Sequence, residues 1–189
     1  MSLLSLIDNT RTDKNTLHSY IDTYESLFNS KKESAKNILE IGIFQGGSIK
    51  LWNDYFTNAT IYGLDIMNIK DVYPQIKSKP NIILHTSSDA YDTDFFNMHF
   101  LNRNIKFDVM IDDGPHTLDS MKTFITLYSN VLADDGILIV EDVQDIKWID
   151  ELKKVVPEKH KPYIEVYNLI KNKNRYDDLL FVINRNKKI

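Results

Sequence analysis

A chain of 189 residues, 42% hydrophobic and 26% charged, has the length of one domain and the balance of a folded globular protein rather than a disordered one. Its net charge of −4 gives no electrostatic case for nucleic acid. The absence of cysteine removes disulfides, thiolate nucleophiles, Cys-ligated zinc and iron–sulfur clusters, so any metal must be held by oxygen or imidazole.

The apolar opening residues 1–7 lack a basic leader and stop at Asp8, and no apolar run reaches the ~20 residues that span a bilayer; no signal peptide or membrane contact is expected, and a cytoplasmic location is. Leu17, Tyr20, Ile21, Tyr24, Leu27 and Phe28 recur at helical spacing and predict an amphipathic helix before the first strand, with Tyr20 and Tyr24 as core positions. Residues 37–42 read as a buried strand ending at Gly42. Gly46, Gly47 and Ser48 then open a helix that turns Ile49, Trp52 and Phe56 inward. Strands follow at 60–65, at 81–86 after Pro80, and at 107–112. Met121, Phe124, Ile125, Tyr128, Val131 and Leu132 mark a second periodic helix, closed by Asp134, Asp135 and Gly136. A fifth strand over 137–141 ends in Glu141 and Asp142, which run directly into a helix. After Pro157, residues 162–170 and 177–184 read as two strands joined by the polar loop 171–176, an edge hairpin. Arg185, Lys187 and Lys188 read as a solvated tail.

Strands and helices alternate from 37 to about 156, and the strands are apolar runs rather than alternating ones, as burial on both faces requires. The prediction is a Rossmann-like α/β fold: a mostly parallel seven-stranded sheet with a C-terminal antiparallel hairpin. Residues 1–189 form one domain, with a helical cap over 1–36 and the core over 37–189.

Ligands of such sheets bind beyond the carboxyl ends of the strands. The stretch 40–47, from Glu40 through Gly42 to Gly46 and Gly47, is a glycine-rich turn at the first such end; it serves equally as an ordinary structural turn. It lacks the G-x-G-x-x-G spacing of dinucleotide sites. Asp65, about 20 residues on, suits the hydroxyls of a ribose. Ser88 and Asp89 stand where an adenine is commonly held, although they are also ordinary loop residues. Asp112, Asp113 and His116 put a hard metal ligand and a general base on one loop. With Glu141 and Asp142 on the neighbouring strand, three acids could share a cation; the alternative is capping of the following helices. His85 reads as packed, and no role is assigned to His99 or His160.

These residues resemble a known family, the metal-dependent sugar O-methyltransferases of macrolide biosynthesis of the demethylmacrocin and mycinamicin type, with relatives acting on rhamnosyl groups. The resemblance runs from about Asp13 to Asp142. It rests on Asp13 and Lys14 with His18, Tyr20 and Tyr24 in the leading helix, residues 39–42 and 46–48 followed by Trp52, residues 62–65, residues 111–116 and residues 140–142. It implies a class I S-adenosylmethionine (SAM) methyltransferase fold, with Glu40, Gly42 and Asp65 on SAM and Gly46, Ser88, Asp89 and Asp112 completing the cofactor pocket. It further implies Mg2+ or Mn2+ on Asp113, Glu141 and Asp142, and His116 as the base. The acceptor would be a small molecule, a sugar or sugar nucleotide; no nucleic acid is expected as a partner, and homo-oligomerisation stays open. Pro115 departs from the Ser commoner in the family, on the loop of the base. The long N-terminal extension of some relatives is missing, so their oligomer contacts and acceptor specificity are not carried over. Two rivals stand beside this reading: a nicotinamide-dependent dehydrogenase, and a non-catalytic methyltransferase-like binding subunit.

Overall fold

Val, Ile and Leu at consecutive strand positions leave no strand face for water, so the sheet must be covered on both sides. The computed structural model, which describes residues 1–187 apart from the side chain of Asp71, has that form. In chain order it runs α1 (Leu3–Leu6), α2 (Ile21–Phe28), β1 (Asn37–Ile41), α3 (Gly47–Tyr55), β2 (Thr60–Leu64), α4 (Pro74–Lys77) and β3 (Ile82–His85). Then come α5 (Thr93–Phe96), β4 (Phe107–Asp112), α6 (Leu118–Tyr128), β5 (Leu132–Val140), α7 (Trp148–Val155), β6 (Ile164–Asn168), α8 (Ile170–Lys173) and β7 (Leu179–Asn184). The sheet order is β3-β2-β1-β4-β5-β7-β6, parallel from β3 to β5 and antiparallel where β7 pairs with β5 and β6. This is the expected seven-stranded sheet with its C-terminal hairpin. The reversed β7, wedged between β5 and β6, departs from the 3-2-1-4-5-6 order of dinucleotide-binding sheets and sets the dehydrogenase reading aside.

Alternate strand residues feed two cores. Ile38, Val109, Ile111, Ile137 and Ile139 join Tyr24, Phe28, Trp52 and Phe56 under α2 and α3. Leu39, Met110, Leu138 and Val140 join Phe124, Tyr128, Ile149 and Leu152 under α6 and α7. Strand order reverses between β1 and β4, which places the ligand crevice at their carboxyl ends.

Several local expectations give way to tertiary demands. The leading helix begins at Ile21, and Leu17 is exposed. Ahead of it, the amides of Thr16, Leu17 and His18 all converge on the Asp13 carbonyl, a tight turn that carries Lys14 and His18 into the interior. α6 stops at Tyr128 because Val131 and Leu132 pair with β4 instead of extending the helix. Asp134, Asp135 and Gly136 lie inside β5 at an irregularity in its pairing with β4, rather than closing α6. A loop separates Asp142 from α7, which starts only at Trp148. The loop read between the hairpin strands contains the single turn α8. Arg185 and Lys187 pair with Asp134 and Glu165 rather than fraying; Lys188 lies outside the described residues.

Candidate active site

The carboxyl ends of β1, β2, β4 and β5 are laced together by their own backbone. Asp113 N donates to Ile41 O at 2.9 Å, Glu141 N to Asp112 O at 3.0 Å, and Gly42 N to Leu64 O at 2.9 Å. Gly42 is required at this junction: its φ is +94°, and a Cβ there would sit 2.0 Å from the Asp113 carbonyl oxygen. The turn after it is held by Asp65, whose Oδ2 accepts from the amides of Ile43 and Phe44 at 2.8 Å while Oδ1 accepts from Met67 N at 2.8 Å. Above these ends opens a cavity of about 800 Å³, in the size range of small-molecule sites. Its walls are the loop Asn9, Thr10, Arg11, Thr12 and Asp13 with Thr16, the turn from Ile41 to Gln45 with Gly47 and Ser48, Asp65 to Met67, Ser88 to Tyr91, the run from Asp113 to His116, and Asp142.

At the base of the cavity, His116 Nε2 stands 3.8 Å from Asp113 Oδ1 and 3.7 Å from Asp142 Oδ2. One ligand atom from each of these residues lies within 4.8 Å of the other two. Both His116 and Asp142 have φ of +53°, a left-handed backbone that costs energy and is found where function holds a side chain in place.

Behind this face lies a sealed polar layer. Lys14 Nζ donates to Asp113 Oδ2 at 2.7 Å and to Glu141 Oε1 and Oε2 at 2.8 and 2.6 Å, and it stands 3.4 Å from Glu40 Oε1. Burial by itself would lower the Lys14 pKa, but the carboxylates of Asp113, Glu141 and Glu40 outweigh it and hold the ammonium well above its usual range. Tyr24 donates to Glu141, and Tyr20 to Asp142 Oδ1 at 2.5 Å. His18 Nδ1 lies 2.8 Å from Asp178 Oδ1 and 3.3 Å from Asp142 Oδ1. Burial pushes Glu141 up, its attraction to Lys14 notwithstanding, and raises Asp142, with Asp113 repulsion adding to the second. Glu40 and Asp112 are raised to about 7, again chiefly by burial.

The structure brings Gly42, Asp65, Ser88, Asp89, Asp113, His116 and Asp142 to one cavity. It does not bring Glu40 there. That carboxylate is fully buried, accepting from Ser48 Oγ at 2.7 Å and Trp52 Nε1 at 3.0 Å, and does not line the cavity. Asp112 likewise accepts from Tyr91 Oη at 2.5 Å below the surface, and Gly46 supplies the left-handed turn into α3 without lining the cavity. Glu141 is buried on Lys14 and Tyr24, one layer behind Asp113 and Asp142. Lys14 supplies an internal cation to Asp113 and Glu141. Tyr20 and Tyr24, read as plain core, are hydrogen-bond donors to the acids. The available signal was that a buried tyrosine hydroxyl needs a partner.

No protein-family model matches the chain. Among curated proteins, it is 31% identical over 145 residues to an 8-demethyl-8-α-L-rhamnosyl tetracenomycin-C 2'-O-methyltransferase of Streptomyces olivaceus, covering 72% of this chain and 36% of that protein. It is 29% identical over 140 residues to the mycinamicin VI 2''-O-methyltransferase of Micromonospora griseorubida, covering 70% of this chain and 33% of that protein. The chain thus spans about a third of the length of these relatives. Among solved structures, a methyltransferase of the mycinamycin pathway in complex with Mg, SAH and mycinamycin VI superposes with a TM-score of 0.72 at 22% identity, over 97% of this chain and 54% of that one. The fold is therefore that of the class I SAM methyltransferases. Fibrillarin of Methanococcus jannaschii, a pre-rRNA processing protein, has a TM-score of 0.59 at 15% identity over 82% of this chain and 69% of its own, so the fold does not choose the acceptor.

Proposed function

As the chain is a homologue of the sugar O-methyltransferases of mycinamicin and tetracenomycin biosynthesis, we propose that it transfers a methyl group from SAM to a hydroxyl of a sugar or sugar nucleotide, with a divalent cation and His116 as the base. The observation that carries this reading is the meeting of Asp113 Oδ1, Asp142 Oδ2 and His116 Nε2 in the same cavity as the glycine turn and Asp65. The donor set fits the cation: Asp113 Oδ1 and Asp142 Oδ2 carry no hydrogen bond among the described residues, and two such carboxylate oxygens suit Mg2+ or Mn2+. Asp113 and Asp142 would hold it directly, with Glu141 in reserve behind them. A bound cation lowers the pKa of a coordinated hydroxyl.

The residues divide the remaining work. His116 Nε2 accepts the hydroxyl proton, with Asp113 Oδ1 and Asp142 Oδ2 3.8 and 3.7 Å away. Gly42 lets the backbone approach the methionine part of SAM, and Asp65, its Oδ1 carrying one hydrogen bond, retains a lone pair for a ribose hydroxyl. Ser88 and Asp89 border the adenine side. The polar loop from Asn9 to Asp13 closes the same cavity and offers the acceptor hydrogen-bonding groups. Holding nucleophile and methyl in line supplies the rest of the acceleration. In this reading the acceptor is a small molecule, neither nucleic acid nor membrane is a partner, and the site of action is the cytosol; among the described residues no helix is long and apolar enough to cross a membrane.

The test is methyl transfer from labelled SAM to a panel of rhamnosides, macrolide glycosides and nucleotide sugars, read as a one-methyl mass gain. Transfer should stop in EDTA and return with Mg2+, while SAH affinity stays the same in both conditions. Undiminished transfer in EDTA would overturn the metal; failure to bind SAH would overturn the whole reading.

A further inference from the structure

The two acids nearest His116 each divide their oxygens between the cavity and the interior. Asp113 turns Oδ2 to Lys14 at 2.7 Å and leaves Oδ1 on the His116 side. Asp142 turns Oδ1 to Tyr20 and His18 and leaves Oδ2 on the His116 side. Every inward anchor comes from the short segment between Lys14 and Tyr24, ahead of and within α2. Lys14 is 1% exposed and does not line the cavity, so it touches neither solvent nor ligand space. Its ammonium joins acids from the ends of three strands: Glu40 on β1, Asp113 after β4 and Glu141 after β5.

A buried ammonium is costly unless it is paired and fully hydrogen-bonded. Here three carboxylates offset that cost, and an apolar side chain in its place would leave them buried together without a cation. The ammonium also supplies orientation. A carboxylate with one oxygen fixed from behind presents the other at a defined place, the arrangement by which outer groups aim metal ligands.

We propose that Lys14 is a positioning residue, which tethers Asp113 and Glu141 from behind and thereby aims the free oxygen of Asp113 at the cation subsite it shares with Asp142, beside His116. The proposal rests on the metal-dependent reading above. It differs from a role in charge balance alone, in which Lys14 would only neutralise the buried Glu40.

Titration calorimetry with Mn2+, in the absence of SAM and acceptor, separates the two. At a pH above about 7, where Glu40 is ionised, the double substitution Lys14→Met with Glu40→Gln removes one positive and one negative charge, so the buried net charge is unchanged and folding is favoured. This variant should bind Mn2+ about 10–100-fold more weakly than wild type, with SAH affinity in EDTA kept within about threefold, the range expected when an outer-shell partner is lost. Lys14→Arg, which retains charge and donors, should recover most of the Mn2+ affinity. Wild-type affinity in the double variant would overturn the proposal and leave Lys14 as the counter-charge of Glu40. Absence of Mn2+ binding by the wild type would overturn the metal reading and this inference together. If neither variant folds, the wild type decides: the 15Nζ resonance of Lys14 should shift with Mg2+ along the calorimetric isotherm, and an unmoved resonance would overturn the tether.

Discussion

His116 has a left-handed backbone and stands at the cavity within 4 Å of the Asp113 and Asp142 carboxylates, and in the proposed reaction it is the base. His116→Ala should lower turnover by ~10²–10⁴-fold while SAH affinity, measured by calorimetry, stays near wild type. A parallel loss of SAH binding would make it a residue of the pocket rather than the base. Glu40 gives the pH dependence. Burial raises it from 4.5 to about 7, with Lys14 pulling the other way and Asp113 adding to the rise. A carboxyl whose pKa is higher folded than unfolded contributes stability that is fully present below about 4.5 and lost as the pH rises to about 7. Glu40→Gln cannot ionise and keeps an acceptor for Ser48 and Trp52. Its stability relative to wild type should therefore increase across that window, by on the order of 1–3 kcal/mol. Melting temperatures of both proteins at pH 4.5, 6 and 7.5 check this, and a constant difference would contradict it.

Among the elements, the junction of the β1 and β4 ends is the least tolerant. Gly42→Ala would place a Cβ 2.0 Å from the Asp113 carbonyl on a backbone with φ of +94°. The two loops would have to part, at a cost of ~2–4 kcal/mol, and Asp113 would shift away from Asp142. Chemical denaturation should show the lost stability, and calorimetry a weakened Mn2+ site; a Gly42→Ala variant as stable as wild type would mean the loops are free to separate. The segment before α2 carries the opposite lesson. Its apolar spacing suggests one helix from Leu17, yet the chain turns first, because Lys14 and His18 have buried carboxylates to meet and Leu17 has nothing to cover. Local periodicity records which side chains are apolar, whereas partners 99 to 160 residues away in sequence decide where the helix can start.

For the whole molecule, the sequence by itself determined the architecture. Unbroken apolar strands alternating with one-sided helices require a covered parallel sheet, and two late strand-like runs joined by a short connection require a hairpin; these are local patterns, and local patterns survive without knowledge of contacts. It also pointed to the strand ends as the candidate site, because Gly42, Asp65, Asp113, His116 and Asp142 follow apolar runs and a parallel sheet gathers such ends on one side, where these residues line one cavity. Only the tertiary structure decided which of the acids face the cavity. Glu40, Asp112 and Glu141 sit at the same strand ends as the cavity-lining acids but are turned inward onto Trp52, Tyr91 and Lys14. Lys14 itself, an ordinary charge in a polar stretch of sequence, became the centre of the buried layer only when β1, β4 and β5 closed around it. The pattern of residues fixes which elements form, since propensity and hydrophobicity act between near neighbours. The direction of a buried charge is set by desolvation and pairing, which depend on groups that meet only in the folded chain.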